Sequence, residues 1–535
     1  MIGSAAVACS LEGLGLERAL GERSAIESPA PRPAPRLSAP AEPAPAPIRA
    51  ALALAVDGDA AARLVEPASE RLAAKPEVDA AAPPPPIDPT AAPEYVEPTL
   101  RSIARETYIY GEPGPAAMKI GYLRLGAVVP RSEKPSGHTG CKRGWYGIKP
   151  EGYVCVGSTA QLDTDPPHPI ADFARVRPDR MAALPYRYGR SLYPTPPLYA
   201  RLPTRLEQEQ SEVELTGHLR RRTERAWSEV PSDALPEGLL GGAALPVPLG
   251  YVREGNPVTT GRAMPDSGFA LLGIYQHAGR RFALSTDFEL LPLDRMKPVE
   301  VSRFHGVRLS QHFTLPLVFV RAKNAKLYTG SLEQRILSVA RRLEFREALP
   351  LSGRELTLAG VRYLELSGGQ DFVRDENLVR IEPLKKKPAW ALPGRTWIHI
   401  SILEQSLVMY EGETPIYATL VSTGVDGLGD PAETRSTVRG AFLIHTKHVS
   451  STMDSDAPED PFDLRDVPYV QYFTGGYALH AAYWHDSFGQ PYSHGCINLS
   501  PLDARALFHM TSPAVPQAWH GALSLRGGTL VYVSP

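Results

Sequence analysis

Six residues near one end of this chain, Ser493-His494-Gly495-Cys496-Ile497-Asn498, together with His480 upstream, have the types and spacing of a nucleophile with its base. A thiol is a strong nucleophile only as thiolate, and an imidazole within hydrogen-bond reach takes its proton and stabilises the resulting ion pair. His480 closes the apolar run Tyr477-Ala478-Leu479, where a strand holds a side chain rigidly. Gly489 and Pro491 mark turns in the loop that leads on to Ser493. Gly495 removes a side chain beside the sulfur, so an acyl group can approach and backbone N–H groups near Cys496 can face an oxyanion. The chemistry expected is acyl transfer through Cys496 with His480 as base. Two other readings stand beside it. His480 alone reads as an ordinary structural histidine, and His480, His485, His494 and Cys496 together offer enough nitrogen and sulfur for zinc, although their order matches no zinc motif. His494 is closest to the thiol in sequence, yet residues two apart share a face only in an extended strand, and Gly495 between them favours a turn. His494 is therefore expected to support rather than transfer protons, and His485 to line the loop.

Such a pair needs a rigid frame, and the stretch from residue 391 onward has the pattern of one. Trp397-Ile398-His399-Ile400-Ser401-Ile402 alternates apolar with polar; Gln405 to Tyr410 does so more loosely, and a Glu411-Gly412-Glu413 turn leads to Ile416 to Val421. Gly440 to His445 reads as another strand. Hairpin-connected strands of one antiparallel sheet are expected. Asp454 to Pro468, with five Asp and one Glu, is read as a loop near the site mouth. It lacks the glycine and closing glutamate of a calcium loop, so no metal is assigned to it. Lys385-Lys386-Lys387-Pro388 reads as a linker before this domain.

Upstream the composition changes twice. Ile26 to Glu97 is dominated by Ala and Pro, densest at Pro83-Pro84-Pro85-Pro86, and cannot bury enough surface to offset ordering entropy. It is read as an extended spacer of polyproline II character, or as a passive disordered tail. Short β-type runs begin near Thr99, and Cys141 and Cys155 flank the one around Trp145. These two cysteines are expected to form a disulfide; two buried thiols or half of a zinc site are the alternatives. Thr204 and Glu207 form a capping-box signature, and one amphipathic helix is expected between Pro203 and Trp227. Strands resume from Tyr251 to Leu384, with Leu332 to Leu343 ambiguous between helix and strand. The division expected is thus 1–98 disordered, 99–200 a small β module, 201–250 a helical connector, 251–388 further β modules and 391–535 the catalytic domain. With 57 basic against 59 acidic residues, nothing argues for nucleic acid or an anionic membrane. No apolar run approaches the roughly 18 residues of a membrane span, so no transmembrane segment is expected. Ala6-Val7-Ala8-Cys9 resembles the end of a lipoprotein signal but lacks a basic flank and a full apolar core.

Two resemblances add to this reading. The Gly121 to Val129 run, the Gly144-Trp145-Tyr146 turn and Gly152-Tyr153-Val154-Cys155-Val156 are similar to bacterial SH3-like modules, and Tyr363 to Arg380 again resembles such a repeat. From about Trp397 onward the chain resembles the L,D-transpeptidase catalytic domain, also called the YkuD domain. His480, Ser493, His494, Gly495, Cys496, Ile497 and Asn498 follow its pattern in order. Gly440-Ala441-Phe442, Tyr472-Phe473, Ala481 to His485 and Ser500 to Arg505 also fit. The resemblance implies a mainly β protein ending in a YkuD-like β-sandwich. It implies a cysteine acyltransferase acting on peptidoglycan stem peptides, with Cys496 as nucleophile, His480 as base, and Gly495 and Ser493 completing the catalytic turn. His494, Asn498, Tyr472 and Trp484 would support or bind substrate. No cofactor is required. The acyl acceptor would be a stem peptide, an envelope protein's lysine, or water, and the location a cell envelope, periplasmic or outer-membrane-associated. An inactive wall-binding protein is the reading from a different class.

Overall fold

In the computed structural model of the chain, residues 97–535 are described apart from 174–175, 222–223, 252–253, 332–333, 377, 456–460 and 525–526. The expected signal end, spacer and most of the 1–98 segment lie outside the described residues. The alternation that marked the catalytic stretch is realised as one sheet of a sandwich. Its order is Val307–Arg308, Thr414–Leu420, Ser406–Glu411, Thr396–Ser401, Leu530–Ser534 and Gly440–Leu443, with Thr396–Ser401 and Leu530–Ser534 parallel. Facing it are the long hairpin strands Thr446–Ser455 and Phe462–Thr474, followed by Tyr477–Ala481 and Ile497–Leu499. Ile398, Ile400, Leu407 and Met409 from the first layer meet Tyr469, Phe473, Leu479, Ile497 and Leu499 from the second, nearly all without solvent exposure. Each such side chain contributes about 1.5–3 kcal/mol on burial. The helix Pro501–Met510 closes the core with Ala504, Leu507 and Phe508, a spacing that places all three on one face. Its entry is fixed by Ser500, whose hydroxyl accepts from the Asp503 amide, and by Pro501 in the first turn.

The upstream strands are bonded into this sandwich. Gly121 and Tyr122 of strand Lys119–Arg124 pair with Ala522 and Gly521, Gly268 pairs in parallel with Leu464, and Val307–Arg308 lies on the edge of the catalytic sheet. Residues 187–298 build one set of antiparallel strands, and Leu317–Val320 to Leu378–Ile381 a separate seven-stranded sheet. Gly268 has to be glycine where it crosses the catalytic domain, because a Cβ there would lie 2.0 Å from the Tyr483 hydroxyl. A disulfide joins Cys141 and Cys155 beside the strand pair around Trp145. Among the described residues no helix is long and apolar enough to cross a membrane.

Two expectations need correction and one ambiguity is resolved. The single helix over 203–227 is two, Arg205–Ser211 and Leu215–Arg221. The capping box at Thr204 and Glu207 is present, but the helix stops at Glu212, whose buried carboxylate takes the guanidinium groups of Arg280 and Arg295. An unpaired buried carboxylate costs more than one helical turn contributes, so the ion pairs decide the backbone. Leu206 and Val213, apolar residues of this stretch, are exposed. The ambiguous stretch before Leu343 is a strand, Ile336–Arg342, with hardly any buried face and hence no clear period. The acidic stretch from Asp454 is mostly strand, not loop: Asp463 and Asp466 turn inward to arginines, while 456–460 lie outside the described residues.

Asp466 is the centre of the largest of these polar contacts. Its carboxylate accepts from Arg124 at 2.5 and 2.9 Å, from Ser450 at 2.7 Å and from Thr286, and His520 lies against both Arg124 and Ser450. Burial alone would raise its pKa; Arg124 and the two hydroxyls outweigh that and hold the carboxyl well below the usual range.

Candidate active site

Pairing of two short parallel strands assembles the site. Tyr477–Ala481 runs beside Ile497–Leu499 in the register Leu479↔Ile497, His480↔Asn498 and Ala481↔Leu499. Alternation sends Leu479, Ala481, Ile497 and Leu499 into the sandwich core. His480 and Asn498, each 2% exposed, therefore share the opposite face. Cys496, two residues before Asn498, falls on that face as well, packing with Tyr472, Ala478 and Tyr483. The thiol is partly exposed and forms no disulfide. Its sulfur lies 3.6 Å from the Gly476 carbonyl.

The turn before the nucleophile is held from several directions. Ser493 is anchored to the first layer by its N–H to Thr423 O at 3.0 Å and by Val425 N–H to its carbonyl at 2.9 Å. The Ser493 hydroxyl donates to the Cys496 carbonyl at 2.5 Å and accepts from the Gly495 N–H at 3.1 Å. Gly495 has φ +124°, and its carbonyl accepts from Thr437 at 2.7 Å. Of the backbone amides near Cys496 expected to face an oxyanion, that of Gly495 is thus bonded to Ser493. A Cβ on Gly495 would lie 2.8 Å from the Tyr477 ring. Gly495→Ala is accordingly expected to cost about 1–3 kcal/mol in chemical denaturation, from backbone strain alone. A loss below about 0.5 kcal/mol, the ordinary range of surface changes, would show that the turn does not need glycine.

The His480 ring has a defined tautomer. Its Nδ1 faces the Ala481 carbonyl at 3.2 Å, which only accepts, so Nδ1 is the donor there and, in the neutral ring, Nε2 is the nitrogen left to accept. Trp484 stacks on this ring with centroids 5.7 Å apart. The His494 ring lies against Phe462 of the hairpin, 5.1 Å between centroids.

His485 has a larger role than its sequence position suggested. Its Nδ1 accepts from the Ser487 N–H at 3.1 Å, so the proton sits on Nε2, which meets the Asn498 side-chain amide at 2.9 Å. The carbonyl oxygen of that amide belongs opposite Nε2–H, an orientation that also gives the otherwise unpartnered Asn498 Oδ1 its donor. Burial foremost, and the neighbouring His480, push the His485 imidazole down to about 3, which keeps it neutral. Nothing in the spacing of 485 and 498 pointed to this contact. With His485 turned to Asn498 and His494 to Phe462, the ligand set proposed for zinc does not converge. Among the described residues no three His, Cys, Asp or Glu side chains are grouped to hold a metal ion.

The β-sandwich thus carries His480 on one short strand and, in the turn that leads into the strand paired with it, the partly exposed thiol of Cys496. Residues 395–533 match the family model of the L,D-transpeptidase catalytic domain, YkuD, and the chain carries that domain in its last quarter. Similar solved structures include a cysteine-to-serine mutant of the Enterococcus faecium L,D-transpeptidase, at 22% identity over 26% of this chain and 50% of that one, with a TM-score of 0.21. An L,D-transpeptidase from Stackebrandtia nassauensis is 25% identical over 29% of this chain and 58% of its own, with a TM-score of 0.19. One from Mycobacterium smegmatis is 20% identical over 35% and 82%, at 0.21. The chain spans about half the length of the first of these. No curated protein matches it.

Proposed function

We propose that this protein is a peptidoglycan L,D-transpeptidase that works through Cys496 and His480. The observation that carries the reading is that the strand bearing His480 pairs with the strand into which Cys496 leads, the thiol packing on the side of Ala478, the face that His480 shares. Cys496 gives its proton to His480 and attacks the carbonyl between the L-centre of the third stem residue and the terminal D-residue of a donor tetrapeptide. The C–N bond breaks, the D-amino acid leaves as an amine protonated by His480, and a thioester remains. An acceptor amine then attacks the thioester, His480 takes its proton, and the thiolate departs. The product is a three-to-three cross-link. The oxyanion is received by backbone amides around Gly495 and Cys496, which requires the Gly495 N–H to exchange Ser493 Oγ for the substrate oxygen. Tyr472, Trp484, His494 and Asn498 shape the cleft. No cofactor takes part.

The upstream strands are assigned to SH3-like modules over 99–200 and 251–388 that hold the catalytic domain at the wall. The Ala/Pro-rich segment is its spacer in a cell envelope, where the Cys141–Cys155 disulfide is stable. Mass spectrometry of products from defined tetrapeptide muropeptides tests the reading. Dimers support transfer to a stem peptide; tripeptides alone identify an L,D-carboxypeptidase. Unchanged substrate, with no label from a carbapenem, identifies a wall-binding protein.

A further inference from the structure

Between Ala482, whose N–H bonds to Leu499 O at 2.9 Å, and Ser487, whose carbonyl accepts from the Ser422 hydroxyl at 3.0 Å, the loop beside the site carries Trp484, His485 and Asp486. Both peptide carbonyls flanking His485 are held from outside the catalytic domain. Arg190, from strand Arg187–Ser191, donates to Trp484 O at 3.1 Å. Arg346, beside the seven-stranded sheet, donates to Asp486 O and, at 2.7 Å, to Asp486 Oδ1. The Arg346 guanidinium is itself confined, lying 4.6–5.6 Å from the ring centroids of Phe304, Phe345 and Phe488. The Ser302 hydroxyl donates to the same Asp486 oxygen at 2.7 Å. Asp486 adjoins His485, which fixes Asn498, and Asn498 lies in register with His480.

We propose that Arg346 is a positioning residue for acyl transfer, by which the seven-stranded module sets the loop that places His485 against Asn498 and Trp484 against His480. The proposal rests on the reading of Cys496 and His480 as the acylating pair. Arg346 touches neither the thiol nor the base; it acts through the Asp486 backbone and carboxylate. A bidentate hold of this kind needs a planar fork, which lysine lacks.

The test is the rate constant of acylation of the full chain at saturating carbapenem, with the final labelled fraction read by intact mass. Arg346→Ala is expected to lower the rate constant by about 10–100-fold, the size of effect that a 1 Å misplacement produces, while the labelled fraction stays near that of the wild type. Arg346→Lys should recover part of the loss. Because Arg346 is buried and its loss can also unfold the module, Asp486→Asn provides the second arm: this side chain is 58% exposed, and the substitution removes its charge at constant shape. A slowing of about three- to tenfold is expected there. Rate constants within about twofold of wild type in both variants overturn the proposal, as does a fall in labelled fraction at unchanged rate, which is the mark of a merely structural role. Failure of the wild type to be acylated overturns the acyl-transfer reading, and this proposal with it.

Discussion

Incubated with a carbapenem, the full chain gains one adduct mass and Cys496→Ala gains none. The acylation rate of that variant falls by at least about a thousandfold, as expected when a nucleophile is removed. Among the described residues the other two cysteines, Cys141 and Cys155, are bonded to each other, so neither offers a thiol in its place. His480→Gln is expected to slow acylation by about 10²–10⁴-fold, the usual contribution of a positioned base. Glutamine can keep a polar contact with the Ala481 carbonyl but has no lone pair of imidazole basicity to accept the thiol proton. His494→Gln should stay within about tenfold of wild type, since this ring packs on Phe462 and the proton transfer is assigned to His480. The ordering of the two histidine variants is the sharper check. If His494→Gln were the slower, the assignment of the base would be reversed.

Asp466→Ala lowers the free energy of unfolding by about 3–5 kcal/mol, because it leaves Arg124 as an uncompensated charge in a site closed to solvent. The effect has a pH signature. Asp466 has a folded pKa depressed below its unfolded value of about 3.9, so its contribution is complete above that pH and drains away as pH falls toward the lower, folded value. Urea titrations at pH 7 and pH 3 should therefore show a large gap between wild type and Asp466→Asn at neutral pH and a smaller one in acid. Equal gaps at both pH values would mean that the carboxylate charge is not what holds the cluster.

The candidate site was legible as a pattern because the proposed chemistry restricts residue type: a thiol, an imidazole and a glycine at a sharp turn leave few substitutes. The frame was legible where a strand has one wet and one dry face, as at Trp397 to Ile402. It was illegible where a distant charge decides the local backbone. Glu212 ends a helix for Arg280 and Arg295, some seventy to eighty residues away, and Asp466 turns inward for Arg124, more than three hundred residues distant. Neither partner is visible from local period or propensity. The contact of His485 with Asn498 was missed for the same reason: it depends on a strand register, and register is set by the sheet.

The pairing of upstream strands with the catalytic sandwich bears on how the enzyme can be handled. A fragment cut at residue 391 would lose Val307–Arg308 from beside Thr414–Leu420 and Lys119–Arg124 from beside Gly521–Leu523. Two rows of backbone N–H and C=O groups would then lack their native partners at sheet edges, ready templates for another chain. The upstream half thus acts as a built-in guard against self-association, and an isolated catalytic fragment would tend to precipitate even with its cysteine and histidine intact.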